Sequence, residues 1–412
     1  MSTRSSYNSP VVVRTSRPSG IYRAGESIGF HIQTRDLDGT KLKFIIVRDS
    51  WTVVSKAEVR VRNGAAMTDF QPDAPGFYRL SLIGDDGSIL AQAAAAYAPD
   101  RITASLSSPT DFEAFWLEKH HKAQSCMGRC RIGDTIRRAG VVTRPVEADL
   151  EDAGTVYGWL HRPSRRGPFP ALALYHGAGV YPVSIDAGSE WVKRGFMVLS
   201  INPHSIPNDR PREFYARMQQ ELADYRTRGK NSRETIYFAP MFLRAAAAVD
   251  LLADLREWDG KHLFAVGHSQ SGGQALAAAA LNRRVTGLVT SCCTHCDLTG
   301  PLAGRAAGWP QIVAFRRTDE DILDYDPHEV EAARYIDGAN FAPMISCPAH
   351  FSICFLDDLC PATGIYAASN ALRRPATVHH EPSTGHLHTP AARDAEFRWV
   401  CRQGDTHSSE AC

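Results

Sequence analysis

Residues 262–280 read His262-Leu-Phe-Ala-Val-Gly-His-Ser-Gln-Ser-Gly-Gly-Gln-Ala-Leu-Ala-Ala-Ala-Ala280, and no other stretch narrows the choice of fold as much. A short apolar run, Leu263 to Val266, stops at Gly267. Ser269 follows, then Ser271-Gly272-Gly273, then an alanine-rich stretch with high helix propensity. This is a strand, a sharp turn and a helix, with a serine at the apex. It is a variant of the G-x-S-x-G nucleophile elbow. Such a turn folds the backbone onto itself, so the residues two places either side of the serine must be tiny. Gly267 meets that demand on one side. On the other, Ser271 stands where a second glycine is usual. The helix behind the turn aims its first N–H groups at whatever the serine holds.

Composition excludes several functions. The 46 Lys and Arg residues nearly cancel the 45 Asp and Glu, so the chain lacks the basic footprint of a nucleic-acid or acidic-membrane binder. The first ten residues have no apolar signal core, and no run is long and apolar enough to span a bilayer. Ten cysteines, several in apolar runs, read as small buried hydrophobes. A reducing, cytoplasmic setting without disulfides is expected. At 412 residues, 43% of them hydrophobic, the chain is long enough for two domains.

The texture supports that division. Between residues 9 and 100, short runs alternate polar and apolar residues: Pro10–Arg14, Ser27–Gln33, Lys41–Arg48, Ala57–Arg62, Gly76–Leu82 and Ile89–Gln92. Turn signals such as Asn63-Gly64 and Gly84-Asp-Asp-Gly87 separate them. An all-β, Ig-like sandwich is expected here. From 101 to 404 strands and helices alternate, which predicts a mainly parallel, doubly wound α/β sheet. Strands are expected at 156–161, 170–175, 196–201, 263–266, 287–291, 350–355 and 376–381. Helices are expected at 111–120, 186–194 and 239–255. Residues 405–412 read as a flexible tail.

A serine nucleophile needs a base, and the base needs a carboxylate to orient it. In doubly wound hydrolases the order is serine, acid, histidine, with acid and base in loops after strands. The strand at 350–355 runs into Leu356-Asp357-Asp358-Leu359-Cys360-Pro361. The last strand is followed by Ser383-Thr-Gly-His-Leu-His-Thr389. Both loops offer the right chemistry, and order and position agree with the elbow. His388 is the second choice of base, because in an extended loop it points away from His386. Asp358 reads as a solvated neighbour. His268, His379 and His380 read as packing or surface residues. Cys292-Cys-Thr-His-Cys-Asp297 is too crowded for zinc spacing, and the pair Cys126 and Cys130 is weak evidence for a metal.

Residues from about 105 to 402 resemble the acetyl xylan esterase / cephalosporin C deacetylase family (carbohydrate esterase family 7), an α/β-hydrolase family. The matching stretches are Pro109-Thr-Asp-Phe-Glu-Ala-Phe-Trp116, Tyr157-Gly-Trp-Leu160, Tyr175-His-Gly-Ala-Gly179, Gly267-His-Ser-Gln-Ser-Gly-Gly273, Leu356 to Pro361 with Tyr366-Ala-Ala-Ser-Asn370, and Gly385-His386. The resemblance implies a catalytic triad of Ser269, Asp357 and His386. It implies an oxyanion hole from the backbone N–H groups of Gln270 and Ala178. It also implies substrate contacts from His176, Gly177, Thr294 and His295. Three departures stand out: Ala178 where the family commonly has tyrosine, Ser271 where it has glycine, and Asn202-Pro-His-Ser-Ile-Pro-Asn208 in place of its Asp-x-Arg-Gly turn. The implied activity is removal of acetyl or another short acyl group from a hydroxylated small molecule, with no metal or cofactor and with a homo-oligomer left open. Two alternatives are an acyl-CoA thioesterase or acyltransferase, against which the missing basic cluster near the elbow argues, and a non-catalytic binding module, against which the intact triad argues.

Overall fold

The computed structural model describes residues 11–35, 37–125, 130–317 and 323–404. Residues 405–412, read from sequence as a tail, and Cys126 lie outside the described residues.

Eight strands come first: β1 (Val11–Thr15), β2 (Ile21–Tyr22), β3 (Ile28–Thr34), β4 (Lys41–Arg48), β5 (Thr52–Arg60), β6 (Ala65–Phe70), β7 (Gly76–Ile83) and β8 (Ile89–Tyr97). They form a three-stranded sheet, β1-β3-β6, and a five-stranded sheet, β2-β8-β7-β4-β5. Pairing is antiparallel apart from the two-residue β2, which runs parallel to β8. Val11, Val13, Phe30 and Ile32 from one sheet meet Leu42, Phe44, Tyr78, Leu80 and Leu82 from the other in a separate apolar core. Sequence reading missed β6 and β2, and started β5 five residues late. The polar-rich β5 is exposed along most of its length, so its apolar signal is weak.

The remainder contains α1 (Phe112–Ser125), β9 (Cys130–Ile132), β10 (Ile136–Arg138), β11 (Val141–Asp149), β12 (Thr155–Pro163), β13 (Phe169–Leu174), α2 (Ser189–Lys193), β14 (Met197–Ile201), α3 (Arg212–Glu221), α4 (Phe238–Ala253), β15 (Trp258–His268), α5 (Gln270–Leu281), β16 (Gly287–Ser291), β17 (Arg316–Arg317), β18 (Leu323–Asp324), α6 (Pro327–Tyr335), α7 (Gly338–Phe341), β19 (Ala349–Cys354), α8 (Ala362–Asn370), β20 (Thr377–Glu381) and α9 (Pro390–Gln403). Ten of these strands make one sheet, β10-β11-β12-β14-β13-β15-β16-β19-β20, with β9 paired to β11. From β14 to β20 every pairing is parallel.

The two-residue period of the strands sorts this sheet into two layers. Ala171, Ala173, Leu199 and Ala265 face the helical layer that holds Ala245–Ala248 of α4 and Ala275–Ala280 of α5. Leu172, Val198, Phe264 and Val266 face Trp191 and Val192 of α2 and Trp399 and Val400 of α9. Alanine-rich α4 and α5 lie close to the strands because methyl groups take little room. Helices on both faces of a mainly parallel sheet are what the sequence predicted.

Two local readings are corrected. The helix expected from Asp186 to Arg194 starts only at Ser189, because Gly188 takes a left-handed conformation with φ 82°. Strand β11 was not read at all: Pro145 interrupts its pattern, and proline argues against a strand interior. Helices α3, α6, α8 and α9 were also missed. No helix among the described residues is long and apolar enough to cross a membrane.

Candidate active site

Parallel strands point their C-terminal ends at one edge of the sheet, where loops gather functional groups. Strand β15 ends there at His268, and the next residue, Ser269, has a φ of 60° and a ψ of −126°, strained for an L-residue. Five contacts hold that strain. The Ser269 N–H donates to the Ser291 carbonyl (2.9 Å). Its own carbonyl accepts from Gly272 N–H (2.9 Å), Gly273 N–H (3.3 Å), Thr294 N–H (3.3 Å) and the Thr294 hydroxyl (3.2 Å). A Cβ on Gly267 would lie 2.1 Å from the Ser271 carbonyl oxygen, so glycine is obligatory there. Ser271 fits because its side chain folds back. Its hydroxyl donates to the His268 carbonyl (2.6 Å) and accepts from the His268 N–H (2.8 Å).

The loop after β20 brings His386 Nε2 to 2.9 Å from the Ser269 hydroxyl oxygen. On its other side, His386 Nδ1 stands 2.7 Å from Asp357 Oδ2, in the loop after β19. With Nδ1–H donating to the carboxylate, the Nε2 lone pair faces the serine. Asp357 is 1% exposed. Its other oxygen accepts N–H groups from Leu359 (2.9 Å) and Cys360 (2.8 Å), which satisfy the buried charge and fix its rotamer.

Gln270 opens α5 and Ala178 lies in the loop after β13. The side chains of α5 tie that loop down. Gln270 donates to the Gly177 carbonyl (3.3 Å), and Gln274, one turn on, donates to the His176 carbonyl (2.9 Å). The Tyr225 hydroxyl donates to Gln270 Oε1 (3.1 Å) and accepts the Gly179 N–H (3.3 Å). His204 Nε2 lies 3.1 Å from the Gly179 carbonyl, and burial lowers its pKa to about 4. Sequence reading missed Gln274, Tyr225 and His204. Only the i, i+4 spacing of the two glutamines on one helix face carried a signal.

His176 is half-buried, with its ring edge-on to Tyr181 at 4.8 Å. Thr294 and His295, expected at the substrate, stand behind the elbow instead, each 1% exposed. The loop after β16 turns inward, so His295 packs against Phe238, Phe242 and Trp309 and pairs through Nδ1 with the Thr294 hydroxyl (2.7 Å). Burial pushes its pKa down to about 3.

His388 turns away from the serine to Glu396 (2.9 Å) and stacks on His268 at 4.8 Å. Asp358 is exposed, as expected of a solvated neighbour, and its carboxylate also pairs with Arg79 of β7 at 2.6 Å, a contact from the N-terminal sheets. Among the described residues, one group of side chains has metal-ligand potential: Cys292, Asp357 and His386, whose ligating atoms lie within 4.8 Å of one another. The carboxylate and imidazole of that group are already hydrogen-bonded to each other and to Ser269. Cys130, Cys292, Cys293, Cys296, Cys347, Cys354 and Cys360 are free thiols.

This arrangement can remove a proton from Ser269 and aim its oxygen at an electrophile. Comparison with known proteins identifies the family. The family profile "Acetyl xylan esterase (AXE1)" matches residues 101–403. The acetyl esterase Axe7A of Xylanibacter ruminicola is 26% identical over 363 residues, spanning 86% of this chain and 81% of that protein. The acetyl xylan esterase from Paenibacillus sp. R4 is 22% identical with a TM-score of 0.61, over 73% of this chain and 97% of that one. Acetyl xylan esterase 1 from Thermoanaerobacterium sp. JW/SL YS485 is 18% identical with a TM-score of 0.60, over 74% of this chain and 97% of that one. At those identities the two structures speak for the fold alone.

Proposed function

The chain belongs to the acetyl xylan esterase family of carboxylic-ester hydrolases, and on that premise we propose that Ser269, His386 and Asp357 cleave acetyl or another short acyl ester of a hydroxylated small molecule, a sugar or a natural product. His386 Nε2 takes the Ser269 proton as the serine oxygen attacks the ester carbonyl. The backbone N–H groups of Gln270 and Ala178 bind the oxyanion; one such donor is worth about 3–4 kcal/mol. The new imidazolium is stabilised by Asp357, which also holds the ring in the tautomer the step requires. His386 then gives its proton to the leaving alkoxide, and an acyl-serine remains. Water attacks that ester, His386 takes the water proton, and release of the carboxylic acid restores the serine.

The observation that carries this reading is the unbroken contact chain from Ser269 to His386 to Asp357, at 2.9 and 2.7 Å. Thr294 and His295 act in it as supports for the elbow rather than as substrate contacts. We infer two units, residues 9–100 and 101–404. An apolar core confined to Val11–Ala98 and the start of the family match at residue 101 support that division.

The test is hydrolysis of p-nitrophenyl acetate, butyrate and octanoate by the native protein and by Ser269→Ala. Acetate is expected to be fastest, and the variant is expected to lose three or more orders of magnitude. Retention of activity in Ser269→Ala would refute the assignment. A preference for octanoate would keep the triad and reject the short acyl group.

A further inference from the structure

The turn between β4 and β5 has a conformation that the N-terminal sheets alone do not explain. The Trp51 N–H donates to the Arg48 carbonyl (3.0 Å), and the two residues between them, Asp49 and Ser50, have φ of 52° and 53°. Glycine or asparagine is the usual choice where both central residues of a turn need positive φ. Asp49 is also 3% exposed, and burial holds its carboxyl above the ordinary range. A strained backbone and a buried carboxylate persist together only where the surroundings fix both.

Those surroundings come from both parts of the chain. Within the N-terminal sheets, Asp49 Oδ1 accepts the Phe77 N–H (2.8 Å), and the Asp49 N–H donates to the Phe77 carbonyl (2.7 Å). Across the boundary, the same Oδ1 accepts the hydroxyl of Thr363 (2.5 Å), in the first turn of α8. The Asp49 carbonyl accepts the Ala306 N–H (2.9 Å), and the Thr52 hydroxyl donates to the Gly304 carbonyl (3.2 Å). Arg79 stands two residues after Phe77 and so on the same face of β7. Its guanidinium pairs with Asp358 at 2.6 Å and donates to the Ser50 hydroxyl at 3.2 Å. The strained turn therefore braces the arginine that reaches the larger unit.

These contacts converge on the loop that joins β19 to α8 and carries Asp357. Phe77 packs on Phe355 before the acid, Arg79 holds Asp358 beside it, and Asp49 holds Thr363 after it. Asp357 in turn takes its rotamer from two N–H groups of the same loop, those of Leu359 and Cys360. A shift of the loop would therefore move the carboxylate against His386 Nδ1. A packing contact between two units needs only apolar side chains, whereas charged, directional bonds fix a position. We infer that the N-terminal sheets act on the reaction through Asp49 and Arg79, positioning residues that hold the loop carrying Asp357 against His386. The sheets thereby serve turnover and not only the stability of the chain. The inference rests on the esterase reading above, in which Asp357 orients the base.

The test is steady-state hydrolysis of p-nitrophenyl acetate by full-length variants. Asp49→Ala removes the acceptor that Phe77 and Thr363 share, and kcat should fall about tenfold while KM stays within about twofold. Asp49→Asn keeps an oxygen at that place and should restore kcat. In an Asp357→Asn background, Asp49→Ala should add almost no further loss, because its effect passes through the acid. Arg79→Met leaves the strand ladder intact and should lower kcat about threefold. It supplies the same comparison if Asp49→Ala does not fold. Unchanged kcat in both single variants overturns the inference, and so does a loss that persists undiminished in the Asp357→Asn background. Native activity in Asp357→Asn alone overturns instead the assignment of the acid on which the inference rests.

Discussion

At the scale of single residues, the elbow shows why two neighbouring small residues are not equivalent. Gly267 is forced by contact, since any Cβ there would drive into the Ser271 carbonyl. Ser271 is chosen for its hydroxyl, which bridges both the N–H and the carbonyl of His268. A glycine in its place would satisfy the turn but leave those two groups unmatched. Ser271→Ala keeps the small volume and removes both bonds, so it should cost about 1–2 kcal/mol of stability in urea unfolding. An unchanged midpoint would mean that water replaces the hydroxyl. Sequence spacing pointed to Ser269 and to the two loops after it, the family resemblance chose Asp357 and His386 within them, and the structure brings the three side chains together. It did not reveal Gln274 or Tyr225, because their work is to hold a loop whose path was unreadable.

At the scale of elements, β7 buries both of its faces. Tyr78, Leu80 and Leu82 point into the sandwich core. Phe77 points the other way and packs edge-on against Phe355 at 5.0 Å and beside Tyr366 at 5.6 Å. Phe355 lies two residues before Asp357, so the N-terminal sheets buttress the strand end that presents the acid. Arg79 on the same strand adds the ion pair to Asp358. Phe77→Ala should therefore cost about 3–5 kcal/mol in equilibrium unfolding. A cost below about 1 kcal/mol would mean that the two cores are uncoupled at this contact. From sequence β7 read correctly as a strand, but nothing in its alternation said that its second face met another unit rather than water.

At the scale of the molecule, titration sets the acid limit of stability. Burial lowers the pKa of His161, His204, His350 and His380 to about 4, and of His268 and His295 to about 3. Unfolded, these rings would bind protons near their ordinary value of 6.5. Below that pH the unfolded chain binds more protons than the native one. Unfolding therefore becomes easier as pH falls from about 6.5 towards 4, by up to about 1.4 kcal/mol per pH unit for each ring. Asp337, raised to about 7 by burial and by Asp297, acts in the opposite sense: its contribution is lost as pH rises through that value. One carboxyl does not offset six imidazoles. Urea midpoints should be clearly lower at pH 5.5 than at pH 7.5, and equal midpoints would refute the account.

The sequence by itself determined the layered α/β architecture, the β-rich start, the serine of the elbow and the two loops that hold its acid and base. Those are local matters. Strand and helix periods act over a few residues, and an elbow needs small residues at fixed offsets. Only the tertiary structure decided that Asp358 meets Arg79, that Thr294 and His295 turn behind the elbow, and that the Asp49 carboxylate reaches Thr363. Each of these joins residues far apart in the chain, and β11 was hidden by its own proline. Register between distant strands is set by the packing of the whole sheet, and no local pattern carries it.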